Sequence, residues 1–147
     1  GVLLVRGEGG KWTYPAFYTI GSVSFGLQIG GQASEVILLA MTERGVTTLL
    51  QSSVKLGADV GIAAGPYGAG AQAATANISA DILSFSRSKG LYGGISLDGA
   101  VVDVRDSLNK AYYGKTVTPT DILVKQAASN AQADTLRASV AKISSGN

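Results

Sequence analysis

From Ser22 to Gln32 the chain alternates. Val23, Phe25, Leu27 and Ile29 are apolar, and Ser24, Gly26, Gln28 and Gly30 between them are small or polar. A period of two sends the two sets to opposite faces of a pleated strand, so this stretch predicts a strand with one buried face. Ser34–Thr42 reads differently. Val36 to Met41 is an unbroken apolar run, which suits a strand covered on both faces. Gly30-Gly31-Gln32 lies between them, and this turn chemistry predicts a hairpin. Thr42 is placed to cap a helix with its hydroxyl, and Val46, Leu49, Leu50 and Val54 recur at near-helical spacing, predicting a short helix over about 43–53.

Gly57 to Gly70 is rich in glycine and small side chains, read as a strand up to Ala64 and a turn at Gly65-Pro66. Alternation returns in Asp81–Arg87. Gly90–Gly99 follows, then Ala100–Arg105, and these read as two further strand segments bent or turned at the glycines. The last third changes to a helical pattern. Asp106–Tyr113 is a predicted helix with Asp106 as its N-cap and Gly114 as its left-handed stop. Thr118-Pro119-Thr120-Asp121 has the cap, the proline at the first helical position and the acidic third residue of a helix start. Asn130 caps a final amphipathic helix with Ala133, Leu136, Val140 and Ile143 on one stripe. The predicted class is α+β, mainly antiparallel β: a curved, glycine-rich sheet or barrel with one inserted short helix and C-terminal helices.

Composition narrows the chemistry. The 147 residues contain no histidine and no cysteine. An imidazole-assisted serine nucleophile, a thiol nucleophile and the common zinc ligand sets are therefore excluded, and neither cofactor nor metal is expected. The net charge of +2 comes without any run of like charges, short of the clustered basic and aromatic footprint of a nucleic-acid binder, so nucleic acid is not expected as a partner. No segment has the ~18 consecutive apolar residues of a spanning helix. The opening Gly1–Arg6 lacks an initiator Met and a basic lead-in, and reads as a strand entered midway; a piece of a longer protein is expected.

The motifs that survive at first sight fail on their context. Gly114-Lys115-Thr116 resembles the end of a phosphate-binding loop, but that loop needs glycine where Asn109 stands. Ser52-Ser53-Val54-Lys55 and Ser86-Arg87-Ser88-Lys89 both fit Ser-x-x-Lys, a short pattern without its supporting elements here. Asp103 and Asp106 are explained by a helix start. The remaining chemistry is basic residues beside glycine and aromatic ones: Arg6, Lys11-Trp12, Arg87, Lys89 and Lys115 near Tyr112-Tyr113. Tryptophan and tyrosine suit a membrane–water interface, and lysine and arginine suit anionic headgroups. An ordinary solvated rim with a core tryptophan is the competing reading.

Several stretches together resemble the SYLF domain family, a lipid- and actin-associated module of bacterial lipoproteins and eukaryotic endocytic proteins. They are Ser24–Gln32, Leu56-Gly57-Ala58-Asp59 running on to Ala64-Gly65-Pro66, Ser84–Tyr92, Gly94–Gly99 and Asn109–Gly114, in the family's order. Trp12–Tyr18 and Lys89–Gly94 look like its bacterial branch, whose members are often exported and lipid-anchored. The resemblance implies a single domain, truncated at its N-terminal end, with the helix and tail of 130–147 closing it. It implies a non-enzymatic module that binds anionic phospholipid or a membrane surface, on the periplasmic side of a bacterial envelope or, in a eukaryote, peripheral to a membrane in the cytoplasm. Lys11, Trp12, Arg87 and Lys89 are the candidate headgroup contacts, with Arg6 and Lys115 next. The alternative is a protein partner: actin in eukaryotic relatives, an envelope protein in bacteria.

Overall fold

The computed structural model describes residues 1–21, 35–66, 80–88 and 91–144. The predicted strand over 22–32, its turn at Gly30–Gln32, Gly68, Gly70 and Lys89 lie outside the described residues. The chain divides into two compact units, one of Gly1–Thr19 with Asp103–Asn147 and one of Ile20–Val102.

In the first unit, β1 (Val2–Leu3) pairs antiparallel with β2 (Ala16–Gly21), Val2 opposite Phe17 and Leu3 opposite Ala16. On the other side of β2 runs the end of β8 (Val101–Val104), where the Arg105 amide donates to the Phe17 carbonyl at 2.9 Å. β2 was not anticipated from the pattern. Ala16, Phe17 and Tyr18 are all apolar, so no polar–apolar alternation marks it, although Ala16 and Tyr18 are buried and Phe17 only half-buried. The available signal is the run of aromatic and β-branched residues after Pro15.

Three helices complete this unit. Helix α2 (Asp106–Tyr113) ends at Gly114, whose φ of 73° is the left-handed conformation that glycine adopts without a Cβ penalty. Its N-cap is Arg105 rather than the expected Asp106, which is instead the first helical residue. There its carboxylate still faces the positive end of the helix. Helix α3 (Pro119–Leu123) has the full capping box: Thr118 accepts from the Asp121 amide and Asp121 accepts from the Thr118 amide. Those bonds to Thr118 hold the Asp121 carboxyl below its usual range. Helix α4 (Asp134–Ser144) follows a 3-10 turn over Ala131–Ala133 that Asn130 caps. The core here includes Ala16, Tyr18, Val117, Ile122, Leu123 and Ala133.

The second unit is built around β6 (Ile82–Ser88). β3 (Glu35–Ala40) pairs with it antiparallel along its length, from Glu35 opposite Arg87 to Ala40 opposite Ile82. The other side of β6 is shared. β5 (Ile62–Ala64) runs parallel to residues 82–84, and β7 (Leu91–Gly94) runs antiparallel to residues 85–88. Each of the three segments expected at 81–87, 90–99 and 100–105 contains a strand, but the middle one is a strand only over Leu91–Gly94. Helix α1 (Glu43–Leu49) begins at Thr42 as expected but stops at Leu49. Val54, counted above on its apolar stripe, is instead fully buried in β4 (Ser53–Lys55), and a strand partner outcompetes one more helical turn. The expectation that Val36–Met41 is covered on both faces also fails: Ile37, Leu39 and Met41 are 38%, 45% and 53% exposed. The architecture is α+β and mainly antiparallel, with open sheets and no closed barrel among the described residues.

Candidate interaction surface

The resemblance motifs of the second unit meet where β5 gives way to β7. Ser84 is fully buried there, and its carbonyl accepts from the Gly65 amide at 2.8 Å and the Ile95 amide at 3.3 Å. Its hydroxyl donates to the Ile95 carbonyl at 2.5 Å. Two strand ends diverge from one point, so the backbones crowd. A Cβ on Gly94 would collide with the Gly65 carbonyl, and one on Gly65 with the Phe85 ring. These glycines and this serine are structural: they let two strands share one edge.

A second joint lies before β6. The Asp81 carboxylate accepts from the Thr42 hydroxyl at 2.7 Å and the Gly61 amide at 3.2 Å, with Arg44 at 4.0 Å. Its carbonyl accepts from the Met41 amide. The Thr42 hydrogen bond, then that of Gly61, lowers the Asp81 pKa. One residue thus ties the end of β3 through its carbonyl, and the cap of α1 and the approach to β5 through its side chain.

In the first unit the Asn109–Gly114 motif pins α2 to β2. Asn109 is fully buried, and its Oδ1 accepts from the Phe17 amide at 2.8 Å. Tyr113 donates to the Pro15 carbonyl, and Tyr112 meets Phe17 edge-on at 5.0 Å. Burial raises the Tyr113 pKa, keeping its hydroxyl a donor.

Of the candidate headgroup residues, Arg6, Lys11 and Trp12 stand together. Arg6 and Trp12 form an antiparallel bridge, closed by Gly7 donating to the Lys11 carbonyl at 2.7 Å. Arg6 and Lys11 are exposed and Trp12 is half-buried. Trp12 also has unforeseen partners: its indole N–H donates to Ser144 Oγ at 3.0 Å and its carbonyl accepts from Arg137 Nε at 2.8 Å. Tyr14 donates to Asp134 at 2.7 Å, and the Arg137 guanidinium lies 4.1 Å from the Tyr14 ring centroid. The hydrogen bond to Asp134 raises the Tyr14 pKa. The only sequence signal for this cluster was the Asp134–Arg137 spacing of three on a helix; its reach to Trp12 crosses more than a hundred residues. Lys115 is exposed on the loop after α2 and donates to the Ala127 carbonyl at 2.8 Å. Arg87 belongs to the second unit, 3.5 Å from Glu35 across β3 and β6. Lys89 lies outside the described residues.

The rejected motifs can be placed too. The Gly114 amide is spent on the Lys110 carbonyl and so is not offered to a phosphate. Ser52 and Lys55 are both exposed, whereas serine–lysine chemistry needs a desolvated lysine. No helix among the described residues is long and apolar enough to cross a membrane.

The family described as "Ysc84: Las17-binding protein actin regulator" matches residues 21–143. An SH3 domain-containing protein of Schizosaccharomyces pombe is 33% identical over 140 residues, covering 92% of this chain and 33% of that protein. Protein YSC84 of Saccharomyces cerevisiae is 30% identical over 128 residues, covering 84% of the chain and 27% of itself. The human SH3 domain-containing YSC84-like protein 1 is 28% identical over 138 residues, covering 92% of the chain and 40% of itself. The chain thus spans about a third of the length of these relatives. They come from yeasts and a mammal, and lend no support to the bacterial branch or to an envelope location. The family is described by binding and regulation rather than by a reaction. With its model matching most of the chain, this protein belongs to the Ysc84 family, the SYLF family to which the motifs pointed.

Proposed function

We propose that this chain is a non-enzymatic protein-interaction module of an actin-regulating assembly. The observation that carries the reading is the outer row of β3. Ile37 and Leu39 stand exposed on one side of the strand, with the Glu35–Arg87 ion pair at one end and the exposed Met41 just past the other. Grouped exposed apolar side chains with a charged border are typical of a surface that binds another protein. The family description, Las17-binding actin regulator, supports the same class of partner. Filamentous actin is the first partner to test. Co-sedimentation should bring the chain down with filaments, and Leu39→Asp should weaken this several-fold with the circular dichroism spectrum unchanged. A chain that stays in the supernatant at saturating filament would overturn the reading. Immobilised Las17 in a parallel pull-down asks whether binding of the kind named for the relatives resides in this third of them.

A second reading, anionic phospholipid at a membrane periphery, rests on Arg6 and Lys11 standing exposed beside Trp12. Vesicles containing phosphatidylserine should bind the chain, salt should weaken the binding, and Arg6→Ala with Lys11→Ala should reduce it. Equal binding to neutral vesicles sinks this version.

A further inference from the structure

Helix α4 is attached differently from its neighbour α3. The five-residue α3 buries Pro119, Ile122 and Leu123, whereas none of the eleven residues of α4 is buried. Leu136 and Ile143, on the stripe the sequence marks as apolar, are 39% and 79% exposed. An isolated helix shorter than ~12 residues is marginal in water, so α4 depends on what holds it. Val140 and Ala141 are only half-buried, while its hydrogen bonds and cation–π contact to residues 12–14 come from another stripe: Asp134 to Tyr14, Arg137 to the Trp12 carbonyl and the Tyr14 ring, and Ser144 to the Trp12 indole. Water can replace each of these as the helix leaves, so their net contribution is small compared with burial. Such an element opens locally, well before the rest of the fold.

We infer that α4 is a releasable strap over the Trp12–Tyr14 segment, and that its release uncovers an aromatic surface beside Arg6 and Lys11. Docked, Trp12 is half-buried and its indole N–H is engaged; undocked, the indole is freed across the bridge from the exposed Arg6, and the Tyr14 hydroxyl loses its acceptor. Among the described residues, the strap therefore covers a place where Arg6 and Trp12 face each other across a bridge.

Trp12 is the sole tryptophan, so its fluorescence reports the docking directly. The experiment combines hydrogen exchange by mass spectrometry with Trp emission and acrylamide quenching on the full chain. Amides of α4 should be protected, but should exchange ahead of those of α3 and β6. Arg137→Ala should speed α4 exchange by roughly tenfold, red-shift the emission and increase quenching, while the global urea midpoint stays in place. Ile143→Ala, on the exposed stripe, should leave the emission and quenching alone. The inference is overturned if α4 exchanges only with global unfolding, if it has no protection at all, or if Arg137→Ala leaves Trp12 emission and quenching unchanged.

Discussion

Gly93 and Gly94 are neighbours in β7 with opposite fates. Around Gly93 a Cβ would meet nothing within 4 Å, whereas at Gly94 it would strike the Gly65 carbonyl, with the Gly65 nitrogen and carbonyl carbon at 3.2 and 3.3 Å. Those atoms are backbone and cannot swing aside. The Gly65 amide is tied to Ser84, and Phe85 closes over Gly65 from the other direction. Gly94→Ala must therefore push β7 from the end of β5. Overpacking of this kind costs about 1–3 kcal/mol. Weakening one of the two bonds to the Ser84 carbonyl adds about 1 kcal/mol. Gly93→Ala meets no clash and restricts the unfolded chain, so it should stabilise by about 0.4–1 kcal/mol. At the usual urea dependence of about 1–3 kcal/mol per molar, the two midpoints should differ by about 1 M or more. Urea titration followed by far-UV circular dichroism measures this, with exchange of β6 amides localising the loss. Equal midpoints, or a larger loss for Gly93→Ala, would refute the crowding argument. Replacing Phe85 by Leu in a double-mutant cycle should relieve Gly65→Ala, which meets a side chain, but not Gly94→Ala, which meets backbone.

Three further outcomes are expected. The Asp81 carboxyl has a lowered pKa when folded, so its contribution to stability is present above the unfolded value of about 4 and disappears as pH falls through the folded one. Melting temperature followed into acid should show this loss in the wild type, and Asp81→Asn should start lower near neutrality and fall less. Asn109→Leu should orphan the half-buried Phe17 amide at about 1–3 kcal/mol, partly offset by removing an Nδ2 group that has no partner, and thermal denaturation reads the net loss. Thr118→Ala should cost about 1 kcal/mol by opening the α3 capping box, measured as a fall in urea midpoint.

The sequence by itself determined the features whose causes lie within a few residues. Gly114 ends α2 because only its own φ matters, Thr118 and Asp121 cap α3 through bonds three residues apart, and Thr42 starts α1 in the same way. The strand at 82–88 was legible because alternation is a local property. Absent imidazoles and thiols limited the chemistry without any structure. Tertiary structure decided the rest, where distant groups compete. Val54 leaves the end of α1 for a buried place in β4, and β5 and β7 divide one side of β6 at Ser84, a pairing that no pattern within either segment announces. The candidate site shows the same limit. Arg6, Lys11 and Trp12 were legible as residue types. Their union on one bridge, Arg87 standing with Glu35 in the other unit, and the clasp of α4 on Trp12 and Tyr14 come from folding. The physical reason is that hydrogen bonds and close packing act over a few ångströms in space, and the chain brings residues within that reach irrespective of their separation in sequence.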